Sequence, residues 1–267
     1  MFRQIRVKLS GEPHIRPQQN WAYDIYSALM EKLAPEAADQ LHNDGIKPVS
    51  HYLLPRSSDK PAEITWIINL LGKETVDKLF PVIASLEAIH LRHYETELKV
   101  QEIIAGPLVR EKDFVASHLL RDDCSSINQL SILSPSSFKS NGEYQIFPTA
   151  ELIIKSAVQK WNAFAGETVV DDQEALEHLI DHSRIISYAL KSSNYRVKGV
   201  RIPGFTGHVN LEVRGPLPLV RLYNLLINFL AYSGVGIKSS LGMGGCSIEP
   251  SGRAKQAGSS SPAAADL

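Results

Sequence analysis

The run Gly234-Val235-Gly236-Ile237-Lys238-Ser239-Ser240-Leu241-Gly242-Met243-Gly244-Gly245 sets five glycines and a lysine within twelve residues, directly behind the apolar helical pattern of residues 218–232. Glycine at such density is needed where the backbone takes positive φ or another group comes too close for a Cβ. Beyond it there is room for one short strand, at residues 245–249, so the fold must end on helix, loop and strand. The common nucleotide loops do not fit. A Walker loop needs Gly-Lys-Ser/Thr, and here Ile237 separates Gly236 from Lys238. A dinucleotide fingerprint needs a strand before the loop and a helix after it. The remaining reading is an anion-friendly loop suited to a nucleic-acid backbone. In it Gly234, Gly236, Gly242 and Gly244 open the backbone, and Lys238, Ser239 and Ser240 contact phosphate.

Upstream, strand and helix patterns alternate. Residues 4–9 have period two, and residues 21–33 carry apolar side chains at Trp21, Ile25, Ala28, Leu29 and Leu33 behind Asn20 as a cap. Pro35 opens a short helix over 36–42. Extended segments follow at 50–54 and 63–71, then a helix at 74–86 and a strand at 89–100. After Asp122-Asp123-Cys124-Ser125 the pattern restarts. A strand at 127–133 leads to a hairpin within 138–147, turning at Ser140-Asn141-Gly142. Helices at 150–164 and 172–181 precede strands at 185–190, 195–201 and 208–213. The expected fold class is α+β, two tandem ferredoxin-like (βαββαβ, RRM-like) domains, at 1–124 and 125–250. Residues 251–267 are Gly, Ser and Ala with almost no large apolar side chain, and are expected to be a disordered tail.

Charge is more informative by place than in total. The chain's formal net charge is −1, yet residues 182–248 hold Arg184, Lys191, Arg196, Lys198, Arg201, Arg214, Arg221 and Lys238 against Glu212 alone. A one-sign segment on a near-neutral protein points to a polyanionic partner, although strand edges also carry such charges as solvating groups. Arg196, Lys198 and Arg201 alternate along one strand-like run and are expected to line a groove. Aromatic side chains for stacking are sparse in this segment: Tyr188, Tyr195 and Phe205. Two cysteines, Cys124 and Cys246, exclude a disulfide framework or a thiolate zinc site. No run approaches the roughly 20 apolar residues of a membrane span, and the N-terminus lacks a signal-peptide core, so a cytoplasmic protein with no membrane contact is expected.

The spacing Gly-apolar-Gly, five residues, Gly-apolar-Gly resembles the C-terminal loop of the CRISPR-associated endoribonucleases that cut repeat RNA, members of the repeat-associated mysterious protein (RAMP) superfamily. The resemblance continues through Gly204-Phe205-Thr206-Gly207-His208-Val209, Arg214-Gly215-Pro216-Leu217-Pro218, Ser134-Pro135-Ser136-Ser137-Phe138-Lys139 and Phe147-Pro148. Ala38-Asp39-Gln40-Leu41-His42 looks like members that serve type III-A systems. The matches run from about residue 24 to 248.

The resemblance implies the same tandem ferredoxin-like fold and a metal-independent endoribonuclease that needs no cofactor. Its partner would be the repeat of precursor CRISPR RNA, and its guides would pass to a type III effector complex. RNA cleaves itself when its 2′-hydroxyl loses a proton and attacks the adjacent phosphate in line, leaving a 2′,3′-cyclic phosphate and a 5′-hydroxyl. A protein helps with a base, an acid and positive charge.

His42 sits where the family carries its catalytic histidine, before the turn sequence Asn43-Asp44-Gly45. Read without the family, it is equally a histidine capping a helix C-terminus. Tyr26 stands where relatives carry a tyrosine or second histidine, and Tyr23 competes for that role. Lys47 falls where some members place a cation against transition-state charge, with His51 and Arg56 as substitutes. His90 and His93 face opposite sides of a strand, and His178 and His182 lack a third ligand, so no metal is expected. The alternative is a non-catalytic RAMP subunit that holds guide RNA in an effector complex. His42 with Tyr26 is the feature such a subunit would not need.

Overall fold

The computed structural model describes residues 1–33, 45–54, 59–60 and 62–251. Its first half builds β1 (Phe2–Ser10), α1 (Ala22–Met30), β2 (Val49–Leu53), β3 (Glu63–Leu71), α2 (Lys73–Ala84), β4 (Ala88–Leu91), β5 (Thr96–Ala105) and α3 (Glu111–Leu119). The strands form one antiparallel sheet in the order β2-β3-β1-β5-β4. With β4 set aside, this is the strand order of a βαββαβ unit. In β1, Ile5, Val7 and Leu9 turn into the core while Arg6 and Lys8 turn out, the alternation expected of a sheet with one packed face. Helices α1 and α2 cover that face through Ile25, Leu29, Leu79 and Ile83.

The second half repeats the plan. It runs β6 (Ile127–Ser136), a small hairpin of β7 (Phe138–Ser140) and β8 (Glu143–Gln145), α4 (Ala150–Phe164), α5 (Gln173–Asp181), β9 (Ser183–Val197), β10 (Val200–Val213), α6 (Leu217–Ser233) and β11 (Cys246–Pro250). The main sheet has the order β11-β6-β10-β9, again antiparallel, so β9 is an edge strand. Local chemistry fixes the boundaries. Thr149 caps α4 by accepting from the Leu152 amide at 3.1 Å, and Asp172 caps α5 through the Ala175 amide at 3.0 Å. Asn141 and Gly142 take positive φ and turn the small hairpin; Lys198 and Gly199 do the same between β9 and β10.

The halves share a core. Helix α6 is buried along most of its length and packs against α3, α4 and both sheets. Phe2, Leu71 and Phe114, from the first half, belong to the apolar cluster of the second. Phe2 meets Phe229 at 5.0 Å and Trp161 at 6.2 Å between ring centroids. Strand β2 is buried at all five positions, because its second face lies against the glycine loop. Among the described residues no helix is long and apolar enough to cross a membrane.

Several expectations change. Asn20 does not cap α1: a 3-10 turn, Gln19–Trp21, precedes the helix, and Trp21 occupies the cap position without side-chain capping. Trp21 instead stacks on Tyr94 at 4.1 Å. The strand expected at 89–100 is two strands, parted by a 3-10 turn at Arg92–Tyr94 and by Glu95 at a φ of 46°. His93 therefore lies in a turn rather than a strand. Residues 195–201 are a hairpin rather than one strand. Helix α3 has no counterpart in the sequence reading, and the helix expected at 36–42 and the tail beyond residue 251 lie outside the described residues.

Candidate functional site

The glycine loop is a wedge between the halves. A Cβ on Gly242 would overlap the Tyr195 hydroxyl and come within 2.6 Å of Ala22 Cβ; on Gly245 it would enter the Tyr52 ring. On Gly236 it would strike the Ser137 carbonyl, and on Gly244 the Val235 carbonyl. Several of the loop amides are occupied as well. Val235 donates to the Gly244 carbonyl at 2.8 Å, Gly236 to Ser156 Oγ at 3.0 Å, Ile237 to the Ser137 carbonyl at 2.9 Å and Gly244 to the Pro135 carbonyl at 3.0 Å. Gly234, Gly236, Gly242 and Gly244 are thus buried, and close approach of protein accounts for them. Glycine at these positions therefore has a reason within the protein, beside the phosphate contact expected of it. Lys238, at a φ of 56°, stays exposed on the loop's crown, with Ser239 and Ser240 half-buried beside it.

A buried cation supports the loop from below. Lys160 of α4 donates to the Ser233 carbonyl at 3.1 Å, the Gly234 carbonyl at 2.8 Å and Ser239 Oγ at 3.4 Å. It thereby satisfies carbonyls at the α6 C-terminus, where positive charge is favoured. Burial lowers its pKa from the ordinary lysine value to about 7.

On the first-half side, the Tyr26 ring of α1 stacks on His51 of β2 at 4.6 Å, and His51 Nε2–H donates to the Ser240 carbonyl at 2.9 Å. Tyr26 is thus one ring away from the loop. Burial raises its pKa, so it stays a neutral phenol, able to donate a hydrogen bond but not to act as a phenolate base. His51 is fully buried, its Nδ1 has no partner among the described residues, and burial lowers its pKa to about 4. That geometry removes His51 as a substitute for Lys47 in contacting a ligand; it holds β2 to the loop. Ser50 Oγ adds a bond to the Tyr232 carbonyl at 2.5 Å. The Gln19 amide bridges Leu53 of one sheet and Leu133 of the other, at 3.0 and 2.7 Å.

The basic segment divides in two. Arg184 and Arg214 both bond Glu212, at 2.7 and 2.9 Å, and Arg221 bonds Asp122 at 2.6 Å. Lys191, Arg196, Lys198, Arg201 and Lys238 have no carboxylate within ion-pair distance among the described residues. Arg196 and Arg201 face each other across the β9–β10 hairpin, and Lys198 sits at its tip over the Tyr23 ring, 5.3 Å from the centroid. That contact gives Tyr23 a docking role. Behind the tip, Tyr195, Val197, Ile202 and Met243 form a small apolar cluster that includes Tyr23 and Leu241. The two arginines border an open cleft of about 530 Å³, completed by Gln18 and Asn20 from the first half.

His42 and Arg56 lie outside the described residues. Lys47 is half-buried just before β2. The His178 and His182 rings are 3.9 Å apart, and His182 Nδ1 bonds the His178 carbonyl at 2.8 Å. Among the described residues no group of three or more His, Cys, Asp or Glu could hold a metal ion. Sequence reasoning missed Gln19, Ser50 and Lys160; only a lysine inside the apolar stripe of α4 was a visible signal.

The family model of the CRISPR-associated endoribonuclease Cas6 matches residues 130–246. The chain is 32% identical over 237 residues to the CRISPR-associated endoribonuclease Cas6 of Streptococcus thermophilus, covering 87% of this chain and 93% of that protein. It is 28% identical over 234 residues to the enzyme of the same name from Mycobacterium tuberculosis, covering 85% of this chain and 71% of the relative. A solved Cas6 product complex shares the fold, with a TM-score of 0.73 at 22% identity over 92% of this chain and 99% of that one.

Proposed function

The chain belongs to the Cas6 family of CRISPR-associated endoribonucleases, which process precursor CRISPR RNA, and from that premise we propose how it cuts. The RNA attacks itself: the 2′-hydroxyl beside the scissile phosphate displaces the 5′-oxygen, leaving a 2′,3′-cyclic phosphate and a 5′-hydroxyl. No metal takes part. His42 exchanges the proton, its reference pKa near 6.5 suiting it to act at neutral pH. Tyr26, held as a phenol, donates a hydrogen bond that orients the 2′-oxygen or the phosphate. Lys47 offsets charge on the phosphorane.

The observation that carries this reading is the meeting of Tyr26 with the loop crown. Through His51, the tyrosine lies one hydrogen bond from Ser240, beside exposed Lys238. Repeat RNA binds across both halves, its backbone on Lys238, Ser239 and Ser240 and on the hairpin cations Arg196, Lys198 and Arg201. The buried glycines shape the loop and do not touch RNA. Residues 1–124 form the unit with the chemistry and residues 125–250 the unit with most of the phosphate contacts. The protein works in the cytoplasm and hands its guides to a type III-A effector complex. The test is a gel of purified protein with repeat RNA in excess EDTA, followed by end-group analysis. Cyclic phosphate and 5′-hydroxyl ends support the reading; cutting that depends on added magnesium contradicts it. Tight binding without cleavage of any repeat would make the chain a guide-holding subunit.

A further inference from the structure

Of the three aromatic residues on the strands of the basic segment, Tyr188, Tyr195 and Phe205, the fold buries Tyr195 and Phe205. Tyr188 stays outside, 59% exposed on the edge strand β9. Phe147, 54% exposed ahead of α4, meets its ring edge-on, with centroids 5.4 Å apart and planes at 86°. Ile146 and Ile186 are exposed as well. Single exposed apolar residues need no explanation, but two large rings in contact on a surface mark a docking place.

What lies beside the pair identifies the occupant. An open groove of about 550 Å³ runs between the β7–β8 hairpin and α4, with Lys139, Gln145, Thr149, Lys155 and Ser156 on its walls. One end is the glycine loop, where the Gly236 amide bonds Ser156 Oγ. Gln145 and Thr149, two residues to either side of Phe147, line the same groove. From Ser156 back to Ala150 is roughly 9 Å of helix rise. Lys155 is paired with Glu151 at 2.6 Å, whereas Lys139 has no acid partner among the described residues, which leaves the groove net positive.

We propose that Phe147 and Tyr188 are a stacking platform for unpaired bases of the RNA, reached from the glycine loop along this groove. The proposal rests on the RNA-cutting reading and adds a subsite to it. Every base has an apolar face and polar edges, so an aromatic platform beside a polar, cationic groove suits an unpaired strand without selecting its sequence. A second copy of the chain could cover the same strand edge, but it would leave the groove unexplained.

The experiment measures affinity for repeat RNA that carries a 2′-deoxy at its cleavage position, and for versions shortened from either end. Wild type is compared with the Phe147→Ala/Tyr188→Ala double variant and with Tyr188→Trp. Both residues are exposed, so the variants keep the core. The double variant should bind about tenfold more weakly, the loss of stacking on one or two bases. Removing the nucleotides that reach the platform should weaken wild type by the same factor and the double variant no further. The tryptophan emission that Tyr188→Trp adds to that of the three native tryptophans, read as the difference from wild type, should be quenched by full-length RNA only. Unchanged affinity of the double variant, while wild type cuts repeat RNA, overturns the platform and spares the enzyme reading. Failure of wild type to cut any repeat overturns that reading first. A wild-type dimer that the double variant loses, with RNA affinity unchanged, assigns the surface to a second copy and also overturns the proposal.

Discussion

His51 brings two ring nitrogens into a fully buried place where, among the described residues, only Nε2 finds a partner, the Ser240 carbonyl. Its proton affinity there has a measurable consequence. Unfolded, the imidazole binds a proton near pH 6.5; folded, only near pH 4. Between those values the unfolded chain holds more protons, so His51 makes stability fall as pH falls from about 6.5 to 4. The linked loss is roughly 3 kcal/mol at most. Denaturant midpoints across that window should show the slope, and His51→Gln should flatten it. An identical slope in the variant would assign the acid sensitivity to other groups. Tyr26, stacked on the same ring, has a different test. Tyr26→Phe should slow single-turnover cleavage less than His42→Ala, which should cost about 10²–10⁴-fold with little change in RNA affinity. Wild-type rates in His42→Ala would remove that histidine from the chemistry. Tyr26 was singled out by its place in the family resemblance rather than by the helix pattern; the burial of His51 was not legible, because a short strand sequence does not show what covers its second face.

The glycine loop shows how far sequence can reach at the scale of an element. Its density of glycine demanded a tightly constrained loop, and that is what stands between the halves. A cause lies within the protein: Ala22, Tyr52 and Tyr195, each far away in sequence, press against Gly242 and Gly245. Gly242→Ala should therefore destabilise the fold by about 2 kcal/mol or more, combining overpacking with a φ of +100°. Lys238→Ala should weaken RNA binding at unchanged stability. Chemical denaturation and RNA titration of both variants separate the two roles; a stable Gly242→Ala protein would refute the packing account. Residues 63–71 and 150–164 were readable to the residue because apolar pattern and turn signals agree there. The break at Arg92–Tyr94 was hidden, since its left-handed position is held by Glu95 rather than Gly or Asn. Lys198-Gly199 likewise lacks the Asn-Gly signature that marked the smaller hairpin. Helix α3 buries only Phe114 and shows no apolar stripe to read.

At the scale of the whole molecule, the contacts that join the halves also arrange the cations. The β9–β10 tip packs against Tyr23 of α1 and carries Arg196, Lys198 and Arg201 to the side of the cleft where Gln18 and Asn20 stand. With Arg184, Arg214 and Arg221 already engaged by acids, binding strength should depend on the unpaired set. Replacing Arg196, Lys198 and Arg201 together by alanine should lower the slope of log affinity against log salt by roughly 2, the share of three phosphate contacts on single-stranded RNA. Fluorescence anisotropy over a salt series reads this directly, and an unchanged slope would take the hairpin out of the interface. Tandem units were legible from the repeated element order. Their shared core was not, since Phe2, Leu71 and Phe114 look in sequence like residues of the first unit alone. The central claim is that the RNA supplies its own nucleophile. Single-turnover cleavage in EDTA, with repeat RNA that differs by one 2′-deoxy at the scissile nucleotide, tests it most directly. The account predicts full cutting of the all-ribose strand and none of the 2′-deoxy strand, at nearly equal affinity. Cleavage of the 2′-deoxy strand at a comparable rate would contradict it.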